Sequence, residues 1–161
     1  MTLLAARGSA TRISYNLDYP LWQLQDVLLP LFAKHYTHDS LRETIESANH
    51  VWCAYEHEQC LGCVLITDVG SHGGLYMILF GVRESAQGLG IGKRLLDTII
   101  DWARRHEYKF IYLHTGHDNV RAIRMYEKAG FKHEFYQPTH HEQLPQFGVD
   151  VASMVLFLID A

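Results

Sequence analysis

Gln87-Gly88-Leu89-Gly90-Ile91-Gly92 is the most informative segment of this chain. It follows the apolar, strand-like run Leu75–Val82 and opens an amphipathic, helix-like run from Ile91 to His106. Glycine at every second position leaves the backbone N–H groups uncovered at the point where the helix begins. Together with the positive end of the helix dipole, those groups suit a phosphate. The sequence therefore predicts a phosphorylated ligand at this turn.

Three known phosphate-binding patterns can be compared with this segment. The P-loop needs G-x-x-x-x-G-K-[ST], but Gln87 takes the first Gly position and Arg94 follows Lys93. The dinucleotide fingerprint needs a third Gly where Lys93 stands, and it lies in the first strand–helix turn of its domain, whereas this segment lies mid-chain. The third pattern, [Gln/Arg]-x-x-Gly-x-[Gly/Ala], is matched in full by Gln87, Gly90 and Gly92. Nucleotide hydrolysis and dinucleotide binding are both disfavoured.

This third pattern resembles the pyrophosphate loop of the GNAT superfamily of acyl-CoA N-acyltransferases, although a glycine-rich turn alone is also compatible with a purely structural role. A second motif makes the resemblance more specific: Asn119-x-x-Ala122-x-x-x-Tyr126-x-x-x-Gly130-Phe131 is similar to a later helix of that family and the strand that follows it. The two motifs occur in the family's order and at a similar separation. The resemblance covers roughly Val51 to Phe135 and is poor at both ends.

The composition is that of one ordinary globular domain. The 161 residues are 48% apolar and 20% charged, which is sufficient for a single core. The net charge is −4, and no basic tract is long enough to predict a nucleic acid as partner. We therefore expect one domain over residues 1–161 that does not bind nucleic acid.

The same composition guides the expected location. No run of 18 apolar residues occurs, so we expect no membrane span. The apolar stretch Leu3–Ala6 is too short for a secretion signal. The three cysteines agree with a reducing compartment. The cytoplasm is the expected location, and the sequence leaves open whether the chain forms a homodimer.

Hydrophobic periodicity and turn residues predict the element order β-α-α-β-β-β-α-β-α-β-β. The predicted strands are Arg12–Leu17, Val51–Tyr55, Leu61–Val69, Leu75–Val82, Lys109–His114, Phe131–Tyr136 and Val149–Ile159. The predicted helices are one that begins near Pro20 and is interrupted or kinked at Pro30, one over Leu41–Ala48 capped by Asp39-Ser40, one over Ile91–His106, and one that Asp118 or Asn119 caps and Gly130 ends. This order predicts an α/β fold with a mixed sheet covered on both faces.

The resemblance makes the fold expectation more definite. It implies a GNAT-like fold with a central, mostly antiparallel sheet of about 6–7 strands flanked by about four helices. It also implies that Leu75–Val82 and Lys109–His114 splay apart and that acyl-CoA lies in the cleft between them.

The resemblance further implies which residues bind acetyl-CoA. The backbone of the glycine segment would hold the pyrophosphate, with Lys93 and Arg94 either adding charge or facing solvent. The strand end would run beside the pantetheine arm, and a backbone N–H near Val82 would stabilise the carbonyl oxygen. The implied coenzyme-binding residues are Phe80, Gly81, Val82, Gln87, Gly88, Leu89, Gly90, Ile91, Gly92, Lys93, Asn119 and Tyr126.

Proton transfer would fall to two other positions. Tyr126 occupies the place of the family's general acid, and a neutral phenol is a workable proton source for a departing thiolate; a tyrosine packed on the sheet is the alternative. No carboxylate lies between Leu75 and Val82, where some family members carry the general base. His114, Glu56, Asp68 and a chain of waters are the candidates, and His114 is the tentative base because histidine titrates near pH 6.5.

Two histidine- and cysteine-containing segments invite a metal interpretation. His140-His141-Glu142 lacks an evident third ligand, so an exposed loop or an acceptor-binding role is preferred. Cys60 and Cys63, with Cys53 and His57 nearby, resemble a zinc pattern. Residues three apart on a strand point to opposite faces, however, which favours buried, inert cysteines. No metal is expected.

The sequence thus favours an acetyltransferase that moves an acetyl group from acetyl-CoA to a small-molecule or protein amine by direct attack in a ternary complex. The alternative is a module of the same fold that senses acyl-CoA without turnover. The missing carboxylate on the strand before the glycine segment favours that alternative, and the presence of Tyr126 argues against it.

Overall fold

A computed structural model describes residues 11–15, 18–70, 73–133 and 151–158. The strands are β1 (Thr11–Tyr15), β2 (His50–Glu56), β3 (Gln59–Val69), β4 (Gly74–Val82), β5 (Phe110–Gly116), β6 (Lys132–His133) and β7 (Val151–Phe157). The helices are α1 (Leu21–Phe32), α2 (His38–Ser47), α3 (Ile91–Arg105) and α4 (Val120–Lys128), and a 3₁₀ turn covers Glu84–Ala86. The observed order is the predicted one.

All the described strands belong to one sheet of seven strands in the order β1-β2-β3-β4-β5-β7-β6. Neighbouring strands are antiparallel except for β4 and β5, which are parallel. The prediction of a mixed, mostly antiparallel sheet flanked by four helices is therefore confirmed.

Each face of the sheet carries its own core because helices cover both faces. One core includes Leu95 and Ile99 of α3 together with Tyr126 of α4, and the other includes Leu24 of α1 and Ile45 of α2. Leu95 and Ile99 are fully buried, and burying a side chain of this size contributes about 1.5–3 kcal/mol. The packing of these apolar residues of α3 on the sheet holds the glycine segment near the end of the central strand β4.

Strands β4 and β5 separate halfway along their length. They pair from Gly74 with Phe110 to Met77 with Leu113, and both strands continue beyond that point without pairing to each other. The predicted splay is therefore confirmed. A β-bulge accompanies it: Leu65 pairs with Leu79 and Ile66 with Met77, which leaves Ile78 as the extra residue of β4. Bulges increase the local twist of a strand, and this one directly follows the last pair with β5.

A second bulge overturns the expected directions of two cysteines. On β3, Cys60 pairs with Tyr55 and Gly62 with Ala54, so Leu61 is the extra residue. The bulge breaks the alternation and turns Cys60 and Cys63 to the same core as Cys53. The hydrogen bond from Cys53 lowers the pKa of the Cys60 thiol, but the contact with Cys63 and burial outweigh it and raise that pKa to about 12. The three cysteines are thus buried, as expected, although the predicted facing of Cys60 and Cys63 was wrong.

The start of α2 also differs from the prediction. Asp39-Ser40 was expected to cap the helix, but the helix begins at His38 and the cap is Thr37. The Ser40 N–H donates to Thr37 Oγ1 at 3.1 Å, and the Thr37 N–H donates to Ser40 Oγ at 2.9 Å. This reciprocal pair is a capping box in which serine takes the role usually held by Glu or Gln.

We expect Thr37→Ala to lower the free energy of unfolding by about 1 kcal/mol, because one N–H of the first turn loses its acceptor. Asp39→Ala is the control and should cost only about 0.3 kcal/mol through the helix dipole. Urea unfolding monitored by circular dichroism measures both values. A larger loss for Asp39→Ala than for Thr37→Ala would contradict the assignment of the cap.

Of two other predicted boundaries, one differs from the structure and the other is described only in part. Pro30 does not interrupt α1, which continues to Phe32. A proline removes only one backbone hydrogen bond near the end of a helix, and α1 is held down by its buried Leu24, Val27 and Leu28. Strand β6 covers Lys132–His133, and the rest of the predicted strand lies outside the described residues. Within the described part of the chain, no helix has the length and apolar character needed to cross a membrane.

Candidate functional site

The gap between the separated halves of β4 and β5 forms a cleft of about 980 Å³. Its walls come from the ends of both strands, the glycine segment, the first turns of α3 and α4, and the last turn of α1 with the residues that follow it. Every residue predicted to bind coenzyme lines this cleft except Leu89, and His114 lines it as well. The lining residues not anticipated include Met77, Asp118, Arg121 and Met125, with Pro30–His35 from the α1 side.

The glycine segment has the backbone shape that its sequence requires. Gly88 and Gly90 both have φ of +82°, in the left-handed region that other residues rarely adopt. Gly90 is the N-cap of α3 and has no side chain with which to cap it. The first N–H groups of α3 are thus presented to the cleft, as an anion site needs. The Gln87 side chain donates to the Val82 carbonyl oxygen at 3.0 Å, which ties the segment to the end of β4.

Cations near the glycine segment are distributed unevenly. Lys93 Nζ lies 2.8 Å from Asp97 on the next turn of α3. Arg94 Nη2 donates to the carbonyl oxygen of Thr11 on β1 at 3.1 Å. Arg121 of α4, in contrast, places Nη2 3.4 Å from the position that a Cβ would take at Gly88. The sequence predicted roles for Lys93 and Arg94 but not for Arg121, because only the packing of α4 brings Arg121 close to Gly88.

The end of β4 offers backbone donors to the cleft. The N–H of Arg83 donates to the Leu61 carbonyl oxygen of β3 at 2.7 Å. Because hydrogen-bonding direction alternates along an antiparallel strand, the N–H groups of Phe80 and Val82 point away from β3. They therefore face the side on which β5 has separated. The side-chain position of Gly81 points toward α1 instead, because a Cβ there would lie 2.8 Å from the side chain of Leu28.

Tyr126 lies at the base of the cleft with its hydroxyl buried. Its ring contacts Phe80 edge to face, with centroids 6.2 Å apart, and its hydroxyl lies 3.9 Å from the Met77 sulfur. Burial raises the pKa of this phenol above its ordinary value, so Tyr126 stays protonated at neutral pH. A protonated hydroxyl beside a weak sulfur acceptor remains available to a stronger one.

Asn119 occupies the N-cap position of α4, but its side chain makes no capping bond. Its Nδ2 instead donates to Thr115 Oγ1 at the end of β5, at 3.4 Å. The expected cap was therefore correct in position and wrong in mechanism. At the other end of α4, Gly130 follows the C-cap with φ of +103°, as expected of a glycine at C′.

His114 lies on β5 immediately after the last pair with β4. Its Nδ1 lies 3.0 Å from the hydroxyl of Tyr76, which is fully buried on β4. The rings of Tyr76 and Tyr112 lie 5.7 and 6.0 Å from that of His114. Burial raises the pKa of Tyr76, so its hydroxyl keeps its proton and orients the imidazole.

The other candidates for a base lie elsewhere. Asp68 accepts hydrogen bonds from Tyr108 at 2.8 Å and from His50 at 3.1 Å, and it pairs with Leu75 near the other end of β4. Glu56 ends β2, and neither carboxylate lines the cleft.

His140-His141-Glu142 lies outside the described residues. In the parts of the chain that are described, no three His, Cys, Asp or Glu side chains are grouped so as to hold a metal ion.

Comparison with known proteins agrees with this architecture. An uncharacterized N-acetyltransferase of Schizosaccharomyces pombe is 32% identical over 90 residues, which is 56% of this chain and 54% of the relative. A spermine/spermidine N(1)-acetyltransferase of Bacillus subtilis is 36% identical over 62 residues, 38% of this chain and 41% of the relative. The chain thus spans about half the length, or less, of these two curated relatives.

Solved structures extend the likeness over almost the whole chain. A GNAT-family acetyltransferase of Staphylococcus aureus Mu50 superposes with a TM-score of 0.76 at 18% identity, covering 93% of this chain and 100% of its own. A Bacillus subtilis acetyltransferase in complex with CoA superposes with a TM-score of 0.72 at 21% identity, covering 92% and 99%. At these identities the likeness shows the fold.

The family itself is shown by sequence. The profile of the Acetyltransferase (GNAT) family matches residues 17–131, which include the glycine segment, both separated strands and α4. This chain belongs to the GNAT acetyltransferase family.

Proposed function

We propose that this protein is an N-acetyltransferase that moves an acetyl group from acetyl-CoA to a primary amine by direct attack in a ternary complex. The observation that supports this most directly is the single cleft in which uncapped N–H groups of α3, outward N–H groups of β4 and the Tyr126 hydroxyl meet. A phosphate anchor, a carbonyl site and a donor for the sulfur are the parts that acyl transfer from a thioester needs. One domain suffices for it, because all described strands share one sheet.

The proposed placement of acetyl-CoA follows from these groups. The N–H groups from Gly88 to Lys93 bind the pyrophosphate, and the pantetheine arm runs along Phe80–Val82 toward the point where β4 leaves β5. The carbonyl oxygen accepts from a β4 N–H that is fixed before charge develops on that oxygen, which is the arrangement in which such a donor accelerates a reaction most. Tyr126 donates to the departing sulfur.

The amine must lose protons during the attack, and we propose His114 as the group that accepts one. It stands where the strands part. In the tautomer in which its Nδ1–H donates to the Tyr76 oxygen, Nε2 is the nitrogen that accepts the proton. A base in this place contributes by removing the proton as the new C–N bond forms, so that the tetrahedral intermediate breaks its C–S bond and expels the thiolate rather than the amine. The acceptor approaches from the Pro30–His35 side, because α1 packs on the opposite face of the sheet from α3, which follows the glycine segment.

We expect His114→Gln to lower kcat about tenfold and to leave CoA affinity within twofold, because water takes over part of the proton transfer. Steady-state kinetics and calorimetric titration with CoA measure the two effects. His50→Gln is the control, since His50 bonds to Asp68 at the far end of the sheet. If kcat of His114→Gln equals that of the wild type, His114 is not the base.

The test of the function is release of CoA thiol from acetyl-CoA across a panel of polyamines, amino acids, aminoglycosides and peptides with free amino termini. Thermal unfolding with and without acetyl-CoA is read in the same plate. Turnover with any amine establishes the acetyltransferase and names its acceptor class. Stabilisation by acetyl-CoA without turnover across the panel would favour the acyl-CoA sensor instead. The absence of both signals would overturn the assignment to acyl-CoA.

A further inference from the structure

The guanidinium of Arg121 lies over the glycine segment. Arg121 is the second residue of α4, and its Nη2 lies 3.4 Å from the place of a Cβ at Gly88. Because Gly88 has no side chain, this cation comes close to the backbone of the segment. Arg121 and Gly88 both line the cleft, so one ligand in the cleft can contact both.

The contacts of the nearby charged side chains differ from those of Arg121. Lys93 is paired with Asp97, and Arg94 is bonded to Thr11. Among the described residues, Arg121 has no carboxylate within ion-pair distance. Asp118, the carboxylate among the described residues that line the cleft, is three residues away in the chain and does not pair with it. An anion entering here would meet Arg121 on one side and the N–H groups of α3 on the other.

A diphosphate suits this arrangement better than a single carboxylate does. Backbone N–H groups at a helix start bind one side of a phosphate, and the planar fork of an arginine binds two oxygens at once. A pyrophosphate presents oxygens in both directions, so both elements can be used together. The 3.4 Å distance from Arg121 Nη2 to the Cβ position of Gly88 places the fork at the glycine segment itself.

We propose that Arg121 binds the pyrophosphate of the coenzyme and clamps it against the backbone at Gly88. This assignment rests on the proposed use of acetyl-CoA, and it adds a contact from α4 to the phosphate site on α3. The two helices are then held together by the bound coenzyme, which couples the anchor on α3 to the helix that carries Tyr126.

The test compares CoA with dephospho-CoA, which keeps the pyrophosphate and lacks the 3′-phosphate. Binding of each to the full chain is measured by calorimetric titration for the wild type, Arg121→Gln, Arg121→Lys and Arg124→Gln. Arg124 is the matched control, because it is an exposed arginine one turn along α4 that does not line the cleft. We expect Arg121→Gln to weaken both ligands about tenfold, as loss of a charged hydrogen bond does. Arg121→Lys should recover part of the loss, and Arg124→Gln should change affinity less than twofold.

Each other outcome overturns a separate statement. A loss confined to CoA would assign Arg121 to the 3′-phosphate and reject the pyrophosphate clamp. Equal losses of affinity in Arg121→Gln and Arg124→Gln would show that only the positive charge of α4 matters, which would reject the clamp. Unchanged affinity in Arg121→Gln, with the wild type binding CoA, would reject the role of Arg121 and leave the proposed function standing. A wild type that binds neither ligand would overturn the proposed function and the clamp together.

Discussion

Gly90→Val is expected to weaken the binding of CoA at least 100-fold. Apart from its chain neighbours, no described residue has an atom within 4 Å of the position of a Cβ at Gly90, so the added side chain fills open space at the start of α3. That space is where a phosphate must lie to reach the first N–H groups of the helix. Loss of most of those hydrogen bonds to a charged group, each worth about 1.5–3 kcal/mol, accounts for the size of the effect.

The variant also strains the backbone, and a matched control separates the two effects. Gly90 has φ of +82°, and a residue with a Cβ in that region costs about 1–2 kcal/mol. Gly73 has φ of +70° and lies in the turn before β4, where a Cβ would meet only the Lys109 side chain at 3.5 Å or more. Gly73→Val should therefore lower the midpoint of thermal unfolding by a similar amount and bind CoA normally. CoA affinity near the wild-type value in Gly90→Val would reject the phosphate anchor.

Much of the fold was predictable because local patterns and tertiary structure agree. The apolar run of β7, which predicts a buried central strand, and the helical spacing in α3 each predict their element correctly. Strand β7 lies between β5 and β6 in the sheet, and α3 buries the face that its apolar residues define. No turn residue or break in hydrophobicity marks the bulge at Ile78, whereas Gly62 beside the bulge at Leu61 is a residue that often marks one. The pairing of neighbouring strands produces them, and sequence periodicity does not report pairing. The bulge at Leu61 turns Cys60 and Cys63 to the same face of the sheet. The bulge at Ile78 accompanies the opening of the cleft.

The same limit applies to the candidate site. Gly88 and Gly90 could be found from sequence, because only a backbone with positive φ and close ligand approach requires glycine at such spacing. Arg121 could not, since its relation to Gly88 depends on how α4 packs beside α3. Tyr76 read as an ordinary strand residue, and its contact with His114 arises only because β4 and β5 are parallel neighbours. Side chains that act from a second element are thus the ones that sequence alone leaves out.

Tyr126→Phe is expected to lower kcat about 100-fold and to leave the affinity for CoA within about threefold. Among the described residues, the hydroxyl has only the Met77 sulfur, at 3.9 Å, as a partner, so its removal leaves none of their buried groups unsatisfied and should hardly change stability. Burial raises the pKa of the phenol, and a thiolate has an ordinary pKa of about 8.5. Complete proton transfer to the sulfur would therefore be uphill. The hydroxyl acts chiefly as a hydrogen-bond donor to the departing thiolate, and removal of one such preorganised donor typically costs about 10²–10³ in kcat.

The pH dependence of kcat gives this role a second readout. Because the pKa of Tyr126 is raised, its ionisation should cause no fall in wild-type kcat up to about pH 9, below the ordinary phenol value. Tyr36→Phe is the matched control: it removes a tyrosine hydroxyl that does not line the cleft, and it should leave kcat unchanged. Steady-state kinetics with the best amine of the panel, at pH values from 6 to about 9, measure all three proteins. A kcat for Tyr126→Phe within twofold of the wild type would show that the Tyr126 hydroxyl does not stabilise the departing thiolate.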